Sequence, residues 1–392
     1  MTTSTERHSN SNSGVLYLAF ELGKNSWKLA FTVGLGQKPR LKTVAAGVTG
    51  QVLREITEAK RRFGLPAEAS VRSCYEAGPD SFWLHRWLVG QGIDNHVVDS
   101  SSIEVNRRER RAKSDGLDAT KLAEMLVRYD LGETRVWRVV QPPTPDQEDA
   151  RHLHREIEIM QHEQRQLGNR MAGLLLAIGV RVTVNRRFGQ RLAQLKQWDG
   201  TPLPAELLKR LAGEFERWQL VHRQLLAAER TMNAQTQQEA ATSPALQHLL
   251  SLRGIGAKGA WLLLREGLIW RKFRNRRQVA SMAGLVPTPY GSGTIDREQG
   301  ISKAGNARVR TLLVELGWGW LNYQRESALT RWYYQRFAAG NRRSRKVGIV
   351  ALARKLLVAL WRCAAHGEVP IGARQVNWRD KFRRSKTCPV AA

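Results

Sequence analysis

Glu21, Glu76, Asp115 and Asp118 are four carboxylates placed where a small α/β domain would gather them. Glu21 closes the apolar run Val15 to Phe20, and Glu76 closes the run Val71 to Tyr75. Both runs are short and rich in β-branched and aromatic residues, which predicts buried strands. Catalytic groups of open sheets collect just past the carboxyl ends of strands. Asp115 and Asp118 open an amphipathic stretch and, being three apart, share one face of a helix. Carboxylates drawn together repel one another unless cations neutralise them, and hard divalent ions with oxygen ligands, such as Mg²⁺, suit that task. A pair of such ions can clamp both sides of a phosphodiester displacement. Taken singly, each acid has an ordinary reading. Glu21 is then a solvated strand end, Glu76 a turn acid near a helix N-terminus, and Asp115 a cap with Asp118 in the first turn. Together they put one acid per element on the same expected edge of one domain.

A second set of reactive groups lies near the other end of the chain. Gly291-Ser292-Gly293 presents a small hydroxyl on a backbone free to approach a phosphate closely. Ser302-Lys303, Arg308 and Arg310 follow and would supply anion-binding charge. A Gly/Ser surface loop accounts for the same composition. Ser281, before Met-Ala-Gly-Leu, reads as a residue that caps or packs a helix, and Ser302 as a phosphate ligand.

The elements that must position these groups fall into three textures. From about 14 to 140, strands are predicted at 15–21, 27–33, 41–46, 70–76 and 93–99, with helices at 49–63, 80–91 and 116–129. That alternation predicts an α/β layer whose first three strands form a meander. Gln141-Pro142-Pro143-Thr144-Pro145 breaks the pattern. From 146 to 235 two apolar seams of heptad spacing appear, Leu153 to Ile178 interrupted at Gln164, and Leu208 to Leu225 interrupted at His222. They predict an antiparallel coiled-coil arm or a dimer contact, and nearly as well an ordinary two-helix hairpin packed on the neighbouring domain. From 243 to 370 the chain reads as mainly helical. It opens with Gly254-Ile255-Gly256, a turn resembling a helix-hairpin-helix junction whose N–H groups can meet a DNA phosphate. The segments 1–13 and 371–392 read as a polar tail and a basic tail.

The 63 Lys and Arg against 35 Asp and Glu leave a formal charge of +28. Self-repulsion on that scale points to a polyanionic partner, nucleic acid before anionic membrane. The basic residues cluster at Arg107, Arg108, Arg110, Arg111 and Lys113, at Arg271, Lys272, Arg274, Arg276 and Arg277, and at Arg342, Arg343, Arg345 and Lys346. With Trp270, Phe273, Trp378 and Phe382 interleaved, they suit a polyanion track with aromatic platforms. No apolar run approaches the ~20 residues of a membrane helix, and residues 1–13 lack the apolar core of a signal peptide. Cys74, Cys363 and Cys388 form neither an even set nor a metal-ligand spacing, which fits a reducing cytoplasm.

Several ordered motifs carry a resemblance. They are Tyr75-Glu76-Ala77-Gly78-Pro79 with Phe82-Trp83-Leu84-His85, Lys113-Ser114-Asp115-Gly116-Leu117-Asp118-Ala119, Gly284-Leu285-Val286-Pro287, and Gly300-Ile301-Ser302-Lys303 with Gly305-Asn306. In these the chain resembles the D-E-D-D transposases of bacterial insertion sequences, which are bridge-RNA-guided serine recombinases. The resemblance implies a RuvC-like domain of RNase H type, a coiled-coil segment, and a C-terminal transposase domain with a nucleophilic serine. It sets Glu76, Asp115 and Asp118 on three of the metal-binding acids and Ser292 on the serine. Glu21 stands where the family usually has Asp; the charge is kept, but the reach shifts by roughly a bond length, and the tight octahedral geometry of Mg²⁺ is sensitive to that. The implied partners are DNA, a structured non-coding guide RNA and further copies of the chain, as a dimer or tetramer near the bacterial nucleoid. The resemblance also implies two Mg²⁺ ions per site, and that the metal site and Ser292 work on one phosphodiester, within a chain or between protomers. Two other readings fit the same residues: a junction-resolving nuclease in which metal-activated water attacks, and a non-enzymatic nucleic-acid-binding scaffold. A covalent protein–DNA adduct separates the recombinase from the first, and metal-dependent cleavage excludes the second.

Overall fold

The computed structural model describes residues 14–78, 81–103, 115–268, 270–292 and 295–383, with the backbone alone at 81, 101, 115–117, 289–292, 295–299 and 383. The chain forms two compact units, Met1–Pro143 and Thr144–Ala392.

The first unit is built on a five-stranded sheet of order β3-β2-β1-β4-β5. Its strands are β1 (Val15–Leu22), β2 (Ser26–Thr32), β3 (Arg40–Ala45), β4 (Ser70–Glu76) and β5 (Asp94–Val98). Each boundary lies within one residue of the position its apolar pattern predicts. The meander β1-β2-β3 is antiparallel, whereas β4 and β5 run parallel to β1. Alternation sends Leu16, Leu18, Phe20, Val71 and Tyr75 to one face, where α1 (Thr49–Arg62) and α2 (Ser81–Gly90) cover them. Tyr17, Ala19 and Cys74 go to the other face, under α3 (Asp115–Asp130). The sheet is therefore buried on both sides, and its central strands read as nearly continuous apolar runs.

The second unit is helical apart from one hairpin. α4 (Pro145–Asp149) opens it with a capping box between Thr144 and Gln147. α5 (His152–Leu176) and α7 (Ala205–Ala240) then lie antiparallel, joined through α6 (Phe188–Leu192). Contacts between Gln161 and Glu229, Gln164 and His222, and Arg170 and Glu214 fix that direction. The two seams face each other inside the chain: Leu167, Met171 and Leu175 bury against Leu211, Phe215 and Trp218. The seam is thus an intramolecular hairpin. The two polar residues that interrupt it meet each other, the Gln164 amide lying 2.7 Å from His222 Nδ1. Arg186 donates to His222 Nε2 at 2.8 Å. Trp261 joins the outer seam of Ile157, Met160, Leu225 and Met232, tying the hairpin to the helices that follow.

Those helices are α8 (Pro244–Ser251), α9 (Ala257–Leu263), α10 (Arg276–Met282), α11 (Ala307–Tyr323), α12 (Ala328–Phe337), α13 (Arg342–His366) and α14 (Asp380–Arg383). Between α10 and α11 lies the antiparallel pair β6 (Pro287–Ser292) and β7 (Ile295–Ile301). Pro287, Pro289, Gly291 and Gly293 predict a loop there; prolines are tolerated because the pair is a two-stranded ribbon whose strands are both edges. The expected free tail is also different in part. Val376 donates its N–H to Ser251 O at 2.7 Å, Arg253 to Arg374 O at 3.0 Å, and Phe382 is buried in the main core.

Candidate active site and nucleic-acid interface

Parallel pairing sets Phe20 beside Tyr75, so Glu21 and Glu76, one residue on, come level at the carboxyl edge of adjacent central strands. Both follow the alternation of Ala19 and Cys74 and belong to the α3 face. α3 runs antiparallel to these strands. Asp130, at its end, takes the Tyr17 hydroxyl at 2.6 Å and pairs with Arg72, both low on β1 and β4. Leu122 O lies 3.6 Å from Cys74 Sγ. One helical turn earlier, Asp118 reaches the level of Glu76, since four helical residues rise about 6 Å and two strand residues about 6.6 Å. Three elements thus bring Glu21, Glu76 and Asp118 to one edge of the sheet. The Asp115 side chain lies outside the described residues, although its backbone starts α3. The donors are all hard oxygens, the kind Mg²⁺ takes. Among the described residues, no three acidic, His or Cys side chains close on a single point as they stand.

The motif around Glu76 supports the end of β4. Tyr75 is buried and its hydroxyl is held by Asn95 and the His85 backbone; burial pushes that phenol's pKa up. Ser73 donates to Asn95 Oδ1 at 2.8 Å, and Asn95 Nδ2 lies 3.0 Å from His85 Nδ1. Burial lowers the His85 pKa. β4, α2 and β5 are locked together behind the carboxylate edge.

Ser292 is the last residue of β6 and pairs with Ile295, so it stands at the tip of the hairpin. Its side chain lies outside the described residues. The hairpin's base is clamped by the two glycine motifs. Ser302 N–H donates to Val286 O at 2.8 Å, Lys303 to Gly284 O at 3.0 Å, and Asn306 to Met282 O. Gly284 (φ +63°) and Gly305 (φ +134°) lie against each other's loops. A Cβ at Gly305 would stand 2.6 Å from Met282 O and 2.7 Å from both Gly284 N and Ser281 O. Arg310 Nη1 fastens the same two loops by donating to Ala283 O and Lys303 O, each at 3.0 Å.

Asn306 caps α11 and also donates to Glu266 Oε2 at 2.7 Å. Glu266 is 1% exposed; it accepts from Arg155 at 2.9 and 3.0 Å, and His154 Nε2 lies 2.8 Å from Oε1. Burial pushes its carboxyl pKa up, but His154, Arg155 and Asn306 together outweigh that and hold it far below the usual carboxylate range. Nothing in the sequence motifs marks Glu266; it becomes visible only when α5 and α11 meet on it.

The predicted basic residues divide. Arg107, Arg108, Arg110, Arg111 and Lys113 lie outside the described residues. Arg308 pairs with Glu158 at 2.7 Å, Arg310 bonds carbonyls as above, Arg345 bonds Gly340 O, and Arg271 lies over the Trp270 ring. Arg276, Arg277, Lys303, Arg343 and Lys346 line one open groove of about 1200 Å³, alongside α13. The groove also takes Arg354, Lys355 and Arg362, which follow Lys346 at about two-turn intervals on the same side of α13 and which the sequence clusters did not include. Glu368 is the acid that lines it. Trp378 and Phe382 pack on the core rather than presenting free faces. The Gly254-Ile255-Gly256 turn has its flanking carbonyls, Leu252 O and Ile255 O, covered by the Lys381 ammonium. Among the described residues, no helix is long and apolar enough to cross a membrane.

A carboxylate edge on the α/β sheet of one unit and strongly basic helices in the other are features that suit action on nucleic acid. The comparisons give the class a family. The pattern of the IS116/IS110/IS902 transposase family matches residues 246–335. A putative transposase of Sinorhizobium fredii, y4rJ, is 40% identical over 378 residues, covering 92% of this chain and 94% of the relative. The transposase for insertion sequence element IS1328 of Yersinia enterocolitica is 27% identical, over 66% of this chain and 73% of its own. That of IS1111A of Coxiella burnetii is 24% identical, over 72% and 74%. The chain belongs to this family of insertion-sequence transposases.

Proposed function

We propose that this transposase cuts and rejoins DNA to excise and insert an insertion-sequence element, using Mg²⁺-binding carboxylates and Ser292 as the nucleophile. The observation that supports the reading is that Glu21, Glu76 and Asp118, one acid from each of three elements, lie toward the same carboxyl edge of a sheet ordered β3-β2-β1-β4-β5. That order supports an RNase H or RuvC-like reading of the first unit. Glu21, Glu76, Asp115 and Asp118 would hold the metal, which when bound supplies positive charge where the phosphate becomes more negative. Ser292 Oγ attacks phosphorus, a new serine–phosphate bond forms, and the bond to one deoxyribose oxygen breaks. The serine proton passes to solvent and the departing sugar oxygen takes one up. One phosphodiester is exchanged for another, so rejoining needs no external energy source. The glycine clamp serves this step by fixing the base of the hairpin that ends in Ser292. In the same reading a structured guide RNA selects the DNA by pairing, the protein reads backbone and shape, and copies of the chain assemble on the element ends.

The test traps the parent chain, Ser292→Ala, Glu76→Ala and Asp118→Ala with element-end DNA and Mg²⁺ on denaturing gels. The parent forms a covalent adduct, Ser292→Ala does not, and the two acid variants cleave nothing while still binding DNA through the basic residues. Cleavage by the parent without any adduct would replace serine attack by water attack. Recombination at the parent rate in Glu76→Ala would remove the metal assignment.

A further inference from the structure

The groove along α13 has two chemistries in one wall. Its eight cations form no ion pair with any described residue, and Glu368 is the acid among them. Between the cations lie Leu329, Trp332, Val347, Val350, Val358 and Ile371. Two of these apolar side chains are set well into solvent, Val347 at 54% and Ile371 at 77% exposure. A surface that met only the phosphates of a double helix would need the cations and gain nothing from an apolar floor. At Trp332 the two chemistries meet, the Lys355 ammonium standing 4.6 Å from the ring centroid.

The α13 residues that line the groove run from Arg343 to Arg362, about 28 Å at 1.5 Å per residue. An unpaired strand laid along it would set phosphates on the cations and bases against the apolar wall, a contact that a duplex with its bases paired inward does not make. A second copy of this chain, itself carrying +28, is the wrong charge for the site.

We propose that this groove binds an unpaired nucleic-acid strand, leading it along α13 to the base of the β6-β7 hairpin. Pro287, Gly300 and Ile301 at that base line the groove's end. The proposal rests on the transposase reading and adds the place and strandedness of the ligand.

Fluorescence anisotropy of the full chain with labelled oligothymidylate, oligouridylate and a hairpin duplex of equal phosphate number tests it. Trp332→Ala should weaken single-strand binding about tenfold and leave duplex binding within about twofold. Because Trp332 also packs against Phe337, the double variant V347S/I371S, altering two side chains already in solvent, is the second arm and should lose single-strand affinity severalfold. Preference for the thymidylate or the uridylate probe identifies the strand as DNA or RNA, and either supports the groove. Single-strand affinity unchanged in both variants, or single-strand and duplex affinity falling together, overturns the proposal and leaves the transposase reading standing. Failure of the parent chain to bind any of the three probes overturns both.

Discussion

Replacing Glu266 by Gln tests whether a single buried carboxylate holds the helical hairpin to the serine-bearing region. The native Oε1 meets His154 and Arg155, and Oε2 meets Arg155 and Asn306. All four contacts need an acceptor on Glu266, because Arg155 and Asn306 present N–H groups and His154 Nε2 must be protonated to face a carboxylate. Whichever oxygen becomes an amide NH₂, two contacts turn into donor against donor. Charge-assisted hydrogen bonds are worth about 1.5–3 kcal/mol each, and removing one partner of a buried ion pair costs about 3–5 kcal/mol. Arg155 is one-third exposed and recovers some hydration, which favours the lower end, about 3 kcal/mol. For a unit of this size that lowers Tm by about 6–12 °C. Calorimetry of the full chain should show the second unit melting earlier while the first is unmoved. The control is Glu239→Gln: Glu239, about one-third exposed where Glu266 is 1%, pairs with Arg265 and should shift Tm by less than about 2 °C. Equal small shifts in both variants would refute the argument. The sign with pH follows from the depressed pKa. The node's stabilisation is complete above the unfolded carboxyl value of about 4.3 and fades as pH falls below it.

Gly305→Ala should prevent folding of the clamp, since the new methyl meets backbone on three sides at a φ that disfavours any side chain; loss of more than about 3 kcal/mol in chemical denaturation is expected. Met171→Asp puts a charge into the closed seam of α5 and α7 and should cost about 3–5 kcal/mol of hairpin stability, read by helix content, before any change in self-association. Burial, helped by Arg186, lowers the His222 pKa, so its contribution is complete above the unfolded value of about 6.5 and is lost as pH falls below it; the hairpin should soften on acidification below that value, and His222→Gln should flatten that profile.

Most of the first unit was legible because its central strands β1, β2 and β4 carry apolar runs, and burial on both faces leaves little room for another reading. The carboxylate edge was legible for the same reason: Glu21 and Glu76 end runs that pair in register. The second unit was less so. Pro287, Pro289, Gly291 and Gly293 hide a hairpin because an isolated two-stranded ribbon tolerates residues that a central strand would reject. Trp378 and Phe382 resembled stacking platforms because composition does not distinguish an aromatic that faces solvent from one that closes a core. The seams were visible, yet only the meeting of Gln164 with His222 shows that their polar interruptions match each other inside one chain.

The large positive charge acquires a meaning only after the paired residues are set aside. In the second unit Glu158, Glu214, Glu239 and Glu266 each hold an arginine, respectively Arg308, Arg170, Arg265 and Arg155. Those arginines join helices to one another and are not available to a ligand. What the acids leave uncompensated is concentrated along α13 and at the foot of the hairpin. Two like charges about 6 Å apart repel by roughly 0.7 kcal/mol even in water, and eight in one groove multiply the pairs. Packing gives no return for that cost, because the side chains involved lie on an open wall. A polyanion does. The same sorting separates Arg308 and Arg310 from Lys303, neighbours in sequence with unlike roles: Arg308 ties α11 to α5, Arg310 braces the clamp, and Lys303 faces the groove.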